Sequence, residues 1–441
     1  MERKRQRAYE PVAAVALSLT LVLCLIPALS SGSSPSSASA SFSIAASIPL
    51  GESLDAFGPS YDDVTGTLYV SGWDGAQTPG TVFAISGATN SVVATTPVGV
   101  EPSPAAIDSA SGNVYVSNAG RAENSRGTVS ELSGATNSVI RTTEVWYDPA
   151  TAAYDPANNE LYVPNSNLSE SEGSVSVLSA ANASLQLSIP VGIMPSDVLY
   201  DDVNGDLYVL DSNRSASGSA DQISVISGAT NTVIDQIGVG SSDSALLLDA
   251  QSGDIYEGTA DGIVEVSGAT NEVEDNFAIA AGLPSFFDAS GNLYVLQPGN
   301  PARVSVISPT GSSVVTSFSL GDAGAMSYDP NTNEILSTVE GSDVVNLTSD
   351  LTHELVGTVD LGAGYYLPAV APFFDPGNGD VYVTQYGPSL SVIALGESPT
   401  NGTSAGSSSV WLFFLAGIGV GGVAGAGAAQ LARARRVKAA E

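Results

Sequence analysis

The sequence predicts an all-β protein, an eight-bladed β-propeller of four-stranded antiparallel blades. Three observations predict it. A unit of about 44 residues recurs eight times between 43 and 396. Each unit holds four short apolar runs separated by turn residues. The first run of the chain matches the fourth run of later units, while the last unit lacks one. A fixed period of this length marks one supersecondary unit copied in series, and four strands per copy with no helical pattern between them are the content of a propeller blade.

In the second copy the runs are 104–108, 113–117, 128–133 and 138–143, rich in Val, Ile and Tyr and often alternating, as half-buried strands do. They are strands A to D, from the inside outward. The tag Ser-Gly-Ala-Thr-Asn marks the C–D turn at 86–90, 133–137, 227–231 and 267–271, with worn copies from Ser179, Ser308, Thr348 and Ala394. Gly and Asn supply the positive φ of tight turns. The first element, 42–51, reads as a strand D, and the last copy, 367–396, supplies only A, B and C. The N-terminal strand therefore completes the last blade, closing the ring and removing open sheet edges. Seven blades is the alternative if the copy around 335–347, which lacks Tyr-Val, is irregular.

Tyr115-Val116-Ser117-Asn118, Tyr162-Val163-Pro164-Asn165 and Tyr382-Val383-Thr384-Gln385, with the flow from strand C through Ala-Thr-Asn to Pro-Val-Gly at 85–99, resemble the YVTN β-propeller repeat family. The resemblance covers roughly 350 residues. No copy carries the four letters unchanged, and Tyr256-Glu257-Gly258 and Ile335-Leu336-Ser337 depart from them. The resemblance implies a secreted or surface propeller of archaeal or bacterial type. It implies no single activity, because propellers host binding modules and enzymes alike.

The ends read as targeting segments. Arg3, Lys4, Arg5 and Arg7 precede an apolar run at 12–29 and a small-residue site at Ala38-Ser39-Ala40, so 1–40 is expected to be a signal peptide. Cys24, the single cysteine, lies there, and the propeller at 41–397 has no disulfide. A Ser/Gly/Thr-rich linker at 398–409 leads to an apolar transmembrane segment at 410–431, followed by a basic tail at 432–441 that holds Arg433, Arg435, Arg436 and Lys438. This is a single-pass layout with the propeller outside. Gly417, Gly421 and Gly425 share one helix face and permit a homodimer through the span.

Between 41 and 409 there is no lysine. Five arginines face 43 acidic residues there, a balance of −38. Nucleic acid and anionic membrane surfaces are poor partners for such a field. An acidic exterior is the expected habitat, because carboxylates become neutral near their pKa and few basic groups remain to repel one another, with a salt-loving surface, whose carboxylates hold water, as the alternative. Sequons at Asn167, Asn182, Asn213, Asn346 and Asn401 are candidate glycan sites in predicted loops, turns or the linker.

Catalytic signals are sparse: one histidine, His353, near a C–D turn, no Cys/His metal set, and no cofactor motif. Asp201-Asp202-Val203-Asn204-Gly205-Asp206 faintly suggests a calcium loop, but its place matches the other A–B turns, so a plain hairpin is expected. Carboxylate pairs suit glycan hydrolysis, yet acids are too common here for sequence to select a pair. B–C and D–A connections share one face of a propeller. The B–C loops at 72–80, 118–127, 164–173 and 210–222 are long, as is the last D–A connection at 362–373. Variable loops on a rigid scaffold carry function. That face collects Trp73, Trp146, Tyr147, Tyr365, Tyr366 and Tyr386, with Arg121, Arg126, Arg214 and Arg303 in or beside the loops. Aromatics mixed with Arg suit a surface protein or glycan as partner. The expected function is non-catalytic binding, adhesion or envelope organisation at the cell surface. The alternatives are a carboxylate-based extracytoplasmic hydrolase or lyase and a purely structural envelope component.

Overall fold

The computed structural model describes residues 42–395, apart from 52–54, 76–77, 121–125, 168–171, 213–220, 241, 309–312, 340, 363–370 and 385–388. The expected signal, linker, span, basic tail and glycine face lie outside the described residues. The described residues form eight antiparallel sheets, one per sequence repeat, with no helix among them. The copy around 335–347 is a regular blade, with strands at Ala323–Asp329, Glu334–Val339, Val344–Ser349 and Leu355–Asp360. The count is therefore eight. In the first blade strand A is broken into Asp55–Ala56 and Ser60–Asp62, and both pieces pair with Thr67–Trp73.

The ring closes as the sequence implied. Phe42–Pro49 pairs antiparallel with Ser389–Leu395, so the last blade takes its outer strand from the start of the propeller. Phe42 lies over the blade-seven strand at Gly357, where an added Cβ would stand 2.8 Å from its ring.

The apolar core has no single centre. It divides into eight clusters, each at one seam between neighbouring blades. Ile48, Val392 and Tyr382 of the last blade pack with Leu68, Phe83 and Ile85 of the first. Leu336, Val345 and Val359 of the seventh pack with Val381 and Ile393 of the eighth. Strand alternation produces this, because successive side chains of strands B and C point into opposite seams. Each fully buried aliphatic contributes about 1.5–3 kcal/mol, so the seams hold the blades together.

Two polar devices repeat around the ring. Strand A ends in Asp or is followed at once by Asp in every blade, from Asp62 to Asp375, and its carboxylate accepts backbone N–H groups of the A–B turn (Val64 N at 3.0 Å, Gly377 N at 2.8 Å). Asp201 is one of these, accepting Val203 N at 2.9 Å, so the acidic run there is a hairpin turn. The second device is the Tyr of strand B. Tyr69, Tyr162 and Tyr208 donate to Asn137, Asn231 and Asn271, the last tag residue of the next blade (3.2, 2.6 and 3.0 Å). These Asn residues sit in the left-handed region, with φ of 51°, 54° and 58°. Where the tag is worn the phenol finds a substitute. Tyr115 donates to the backbone oxygen of Ala180 at 2.7 Å, and Tyr256 to Glu265 of its own blade at 2.5 Å.

Eight outer strands are eight exposed sheet edges, and the propeller has no lysine to blunt them. Each C–D pairing instead carries a register shift early in strand D, as at Val93, Ile140 and Ile234. A bulge twists the edge and spoils it as a template for another chain.

Candidate binding face

The B–C loops of blades one, two and four span 74–80, 119–125 and 212–220, whereas in blade five only residues 260–261 join the two strands. The third differs from expectation. Strands Glu160–Asn167 and Glu172–Ser179 continue their pairing through Asn165↔Ser174 to Asn167↔Glu172, so most of 164–173 is extended hairpin rather than loop.

The Asn of the Tyr-Val-x-Asn pattern sits where strand B reaches this face. Asn118 Nδ2 donates to Val116 O, Thr128 O and Ser130 Oγ (3.1–3.2 Å), and Asn165 repeats the arrangement with Val163 O and Ser176 Oγ. Gly99 of Pro-Val-Gly lies against it, where a Cβ would stand 2.5 Å from Asn118. Both letters of the pattern are thus structural: Tyr joins blades, and Asn ties strand B to strand C.

Of the predicted contact residues, Trp73 is only 5 % exposed. It ends strand B opposite Asp55 and belongs to the packing of blade one, which corrects its expected role as a contact. Trp146 and Tyr147 lie in the outer strand of blade two, Ser138–Tyr147, rather than in a D–A connection, because that strand runs ten residues and bends at a second irregularity after Glu144. The structure brings them together with Arg126. The guanidinium stands 5.0 Å from the Trp146 ring centre and 5.8 Å from that of Tyr147. The two rings are 5.5 Å apart at 55°. Glu144 Oε1 lies 3.4 Å from Arg126 Nη1, and the two side chains are 65 % and 46 % exposed. An exposed ion pair contributes at most about 1 kcal/mol and a cation–π contact about as much. The effect is to hold a flexible arginine in one place beside two half-buried rings, an amphipathic platform that offers ring edges and guanidinium donors. Tyr365, Tyr366, Tyr386, Arg121 and Arg214 lie outside the described residues.

Asn182 is exposed in a C–D turn. Asn346 is a correction: it sits within strand Val344–Ser349, opposite both Ser337 and Thr358, where the backbone is committed on both sides. Asn167 closes a strand, and Asn213 and Asn401 are outside the described residues. His353 takes the left-handed tag position of blade seven (φ 57°) and stacks on Phe318 of blade six at 4.1 Å and 9°, a packing role.

The described residues also hold buried acids where the repeat does not call for them. Asp211 stands in the place of Asn118 and Asn165, Glu257 in that of Val116 and Val163. Asp197, Asp211, Asp221 and Glu257 are all at most 4 % exposed, in blades four and five. Asp211 accepts Ser224 Oγ at 2.6 Å, and burial raises its carboxyl to about 6. Asp197 accepts Val198 N and Leu246 N (2.9 and 3.1 Å), and its pKa is raised chiefly by burial. Leu246 is the residue directly opposite Glu257. Composition hid these residues among 46 acids; comparing blade with blade would have found them. Asp254, Glu265 and Glu274 form the one acidic group of metal-binding dimensions among the described residues, and Glu265 there already accepts the phenol of Tyr256.

No protein-family model matches the chain, and no curated protein matches it. Among solved structures it is similar to hydrazine synthase of Kuenenia stuttgartiensis, at 16 % identity and a TM-score of 0.47, over 77 % of this chain and 93 % of that one. No helix among the described residues is long and apolar enough to cross a membrane.

Proposed function

We propose that this chain is a YVTN-type surface propeller, exported by its N-terminal segment and anchored by 410–431, that binds a surface protein or glycan without catalysing a reaction. The observation that carries the reading is the platform of Arg126, Trp146 and Tyr147, placed on the loop face by an outer strand longer than any other in the ring. Rigid aromatics beside arginine dominate recognition surfaces because they bury much area at little entropic cost. The test is a crosslinking capture from the source organism's envelope with the full chain as bait, beside a Trp146→Ala/Tyr147→Ala variant. A partner captured by the first and lost by the second supports the reading. Equal capture by both would make the platform structural and favour an envelope scaffold.

One observation favours a second reading, a carboxylate-based extracytoplasmic hydrolase or lyase: Asp197 and Glu257 are buried acids at positions that other blades fill without charge, Asp197 accepting from Leu246 N and Glu257 standing opposite Leu246 in the neighbouring strand. Acids buried where the repeat elsewhere is uncharged are candidates for active-site groups. Release of reducing ends or unsaturated products from envelope polysaccharide, abolished by Asp197→Asn or Glu257→Gln, would establish it.

A further inference from the structure

The described surface is hollow at one place away from the long loops of the first four blades. A cavity of about 450 Å³ runs along blade six from its loop end, at Gln297, Pro298 and Pro301, to Val314 near the C–D turn, on the side that faces blade five. Its origin is a difference in strand length. Blade five has the shortest strands C and D of the ring, Gly262–Val266 and Val273–Phe277, while the outer strand of blade six runs eight residues, Val314–Gly321. The smaller blade leaves part of its neighbour uncovered. Val295 and Ile307 pack into the seam with blade five. The two-residue period of a strand puts Gln297 on the side of Val295, and Ser305 and Arg303 on the side of Ile307. These polar residues therefore face the gap.

The walls are apolar and stiff: Ile279, Pro298, Pro301 and Val314. The polar groups are few and mostly committed. Gln297, 8 % exposed, accepts Ser305 Oγ at 3.0 Å and donates to Ala280 O at 3.1 Å. Arg303 is the exception. Arg126 pairs with Glu144, and Arg141 lies close enough to Glu131 to counter the burial that raises that carboxyl. Arg303, exposed at the cavity, has no carboxylate within 4.0 Å among the described residues. In a propeller with 43 acids and five arginines, a guanidinium set among Gln, Ser and Pro keeps its donor fork for something else. That fork matches a carboxylate in two parallel hydrogen bonds. Among the described residues no aromatic ring lines the cavity for a sugar to stack on, and the apolar walls suit an apolar body.

We propose that this groove is a second binding site, for a carboxylate carried on a compact apolar body, with Arg303 taking the carboxylate and Ile279, Pro298, Pro301 and Val314 enclosing the remainder. Cavities of this size bind small molecules through a few fixed polar groups on apolar walls. The same chemistry is presented by a free branched-chain acid and by the C-terminal residue of a peptide with an apolar side chain.

The test is saturation-transfer NMR with the full-length chain at pH 6. The probes are 4-methylpentanoate for the free acid, N-acetyl-leucine for the peptide terminus, and the corresponding amides as uncharged controls. The expected result is binding of at least one acid, at least tenfold weaker binding of its amide, and at least tenfold loss on Arg303→Gln with the melting temperature unchanged. The better of the two acids identifies the source. Binding should survive Trp146→Ala/Tyr147→Ala, which separates this site from the platform. Equal binding of acid and amide, full binding by Arg303→Gln, or no binding of either acid would overturn the proposal.

Discussion

The phenol of Tyr382 donates a hydrogen bond to the side-chain oxygen of Asn90, 292 residues earlier in the chain. Asn90 Nδ2 in turn donates to Asp380 at 2.7 Å, and Asn378 Nδ2 reaches Gly87 O at 2.7 Å. The phenol of Tyr61 in the first blade lies close to the carboxylate of Asp375 in the last. The closing seam thus uses the same latch as seams between blades adjacent in sequence. The one blade without the latch tyrosine is the seventh, where Leu336 stands in its place. The blade it faces has no C–D hairpin, because its outer strand arrives from the N-terminus. With no turn asparagine opposite, a phenol there would be buried without its usual partner.

Tyr208→Phe should therefore cost about 1 kcal/mol, the net value of one hydrogen bond. Leu336→Tyr should cost about 1–3 kcal/mol through overpacking and an unmatched hydroxyl. Denaturant titration of the two variants decides it. A stabilised Leu336→Tyr would refute this account of the seventh blade.

Removal of residues 42–49 should open the ring. Ser389–Leu395 would become an exposed edge, and Ile48, 2 % exposed in the ring, would leave its seam. Hydrogen exchange should show protection lost first in the last blade. A synthetic peptide of sequence Phe-Ser-Ile-Ala-Ala-Ser-Ile-Pro added in trans should restore it. Unchanged protection in the truncated chain would count against closure by this strand.

Every described carboxyl with a displaced pKa is displaced upward, and burial is the largest cause in each case. A raised carboxyl favours the folded state when protonated. For Asp211, held at about 6, that stability is fully present below the unfolded value near 3.9 and lost as pH rises through 6. It amounts to roughly 2–3 kcal/mol at 1.36 kcal/mol per unit. The melting temperature should rise as pH falls from 7 to 4, the direction an acidic habitat favours. Asp211→Asn, which restores the residue of blades two and three, should raise stability at pH 7 and flatten the profile. A profile that peaks at pH 8 would contradict both.

Trp73→Ala should cost about 3–5 kcal/mol, because it empties a packed site. Trp146→Ala should cost about 1 kcal/mol or less, since its ring is half-buried and its contact with Arg126 is exposed. Thermal melts of the two variants separate structure from surface, and a large loss for Trp146→Ala would move that residue into the core.

Much of this molecule was legible because a repeat states the same local rule many times over. The Ala-Thr-Asn tags specify turns through left-handed asparagine, Tyr-Val alternation specifies strand faces, and a spare strand D at one end with a missing one at the other specifies closure. Those are local properties, and eight copies average out the noise in each. The site was less legible. Trp73 and Trp146 both lie near loops in the sequence, yet one is packed and the other carries the platform, because strand B runs two residues further than expected in blade one and strand D runs on in blade two. Arg126 and Tyr147 become neighbours only through strand pairing. The groove beside Arg303 arises from the difference in size between two adjacent blades, and the buried acids of blades four and five stand out only against their counterparts around the ring. By itself the sequence determined the blade and the way the ring shuts, because turns, alternation and a spare strand D are written in the repeat, whereas the structure chose eight blades over seven by folding 323–360 as a regular blade. The tertiary structure decided which side chains reach solvent together, because that depends on how blades distant in the chain press against one another.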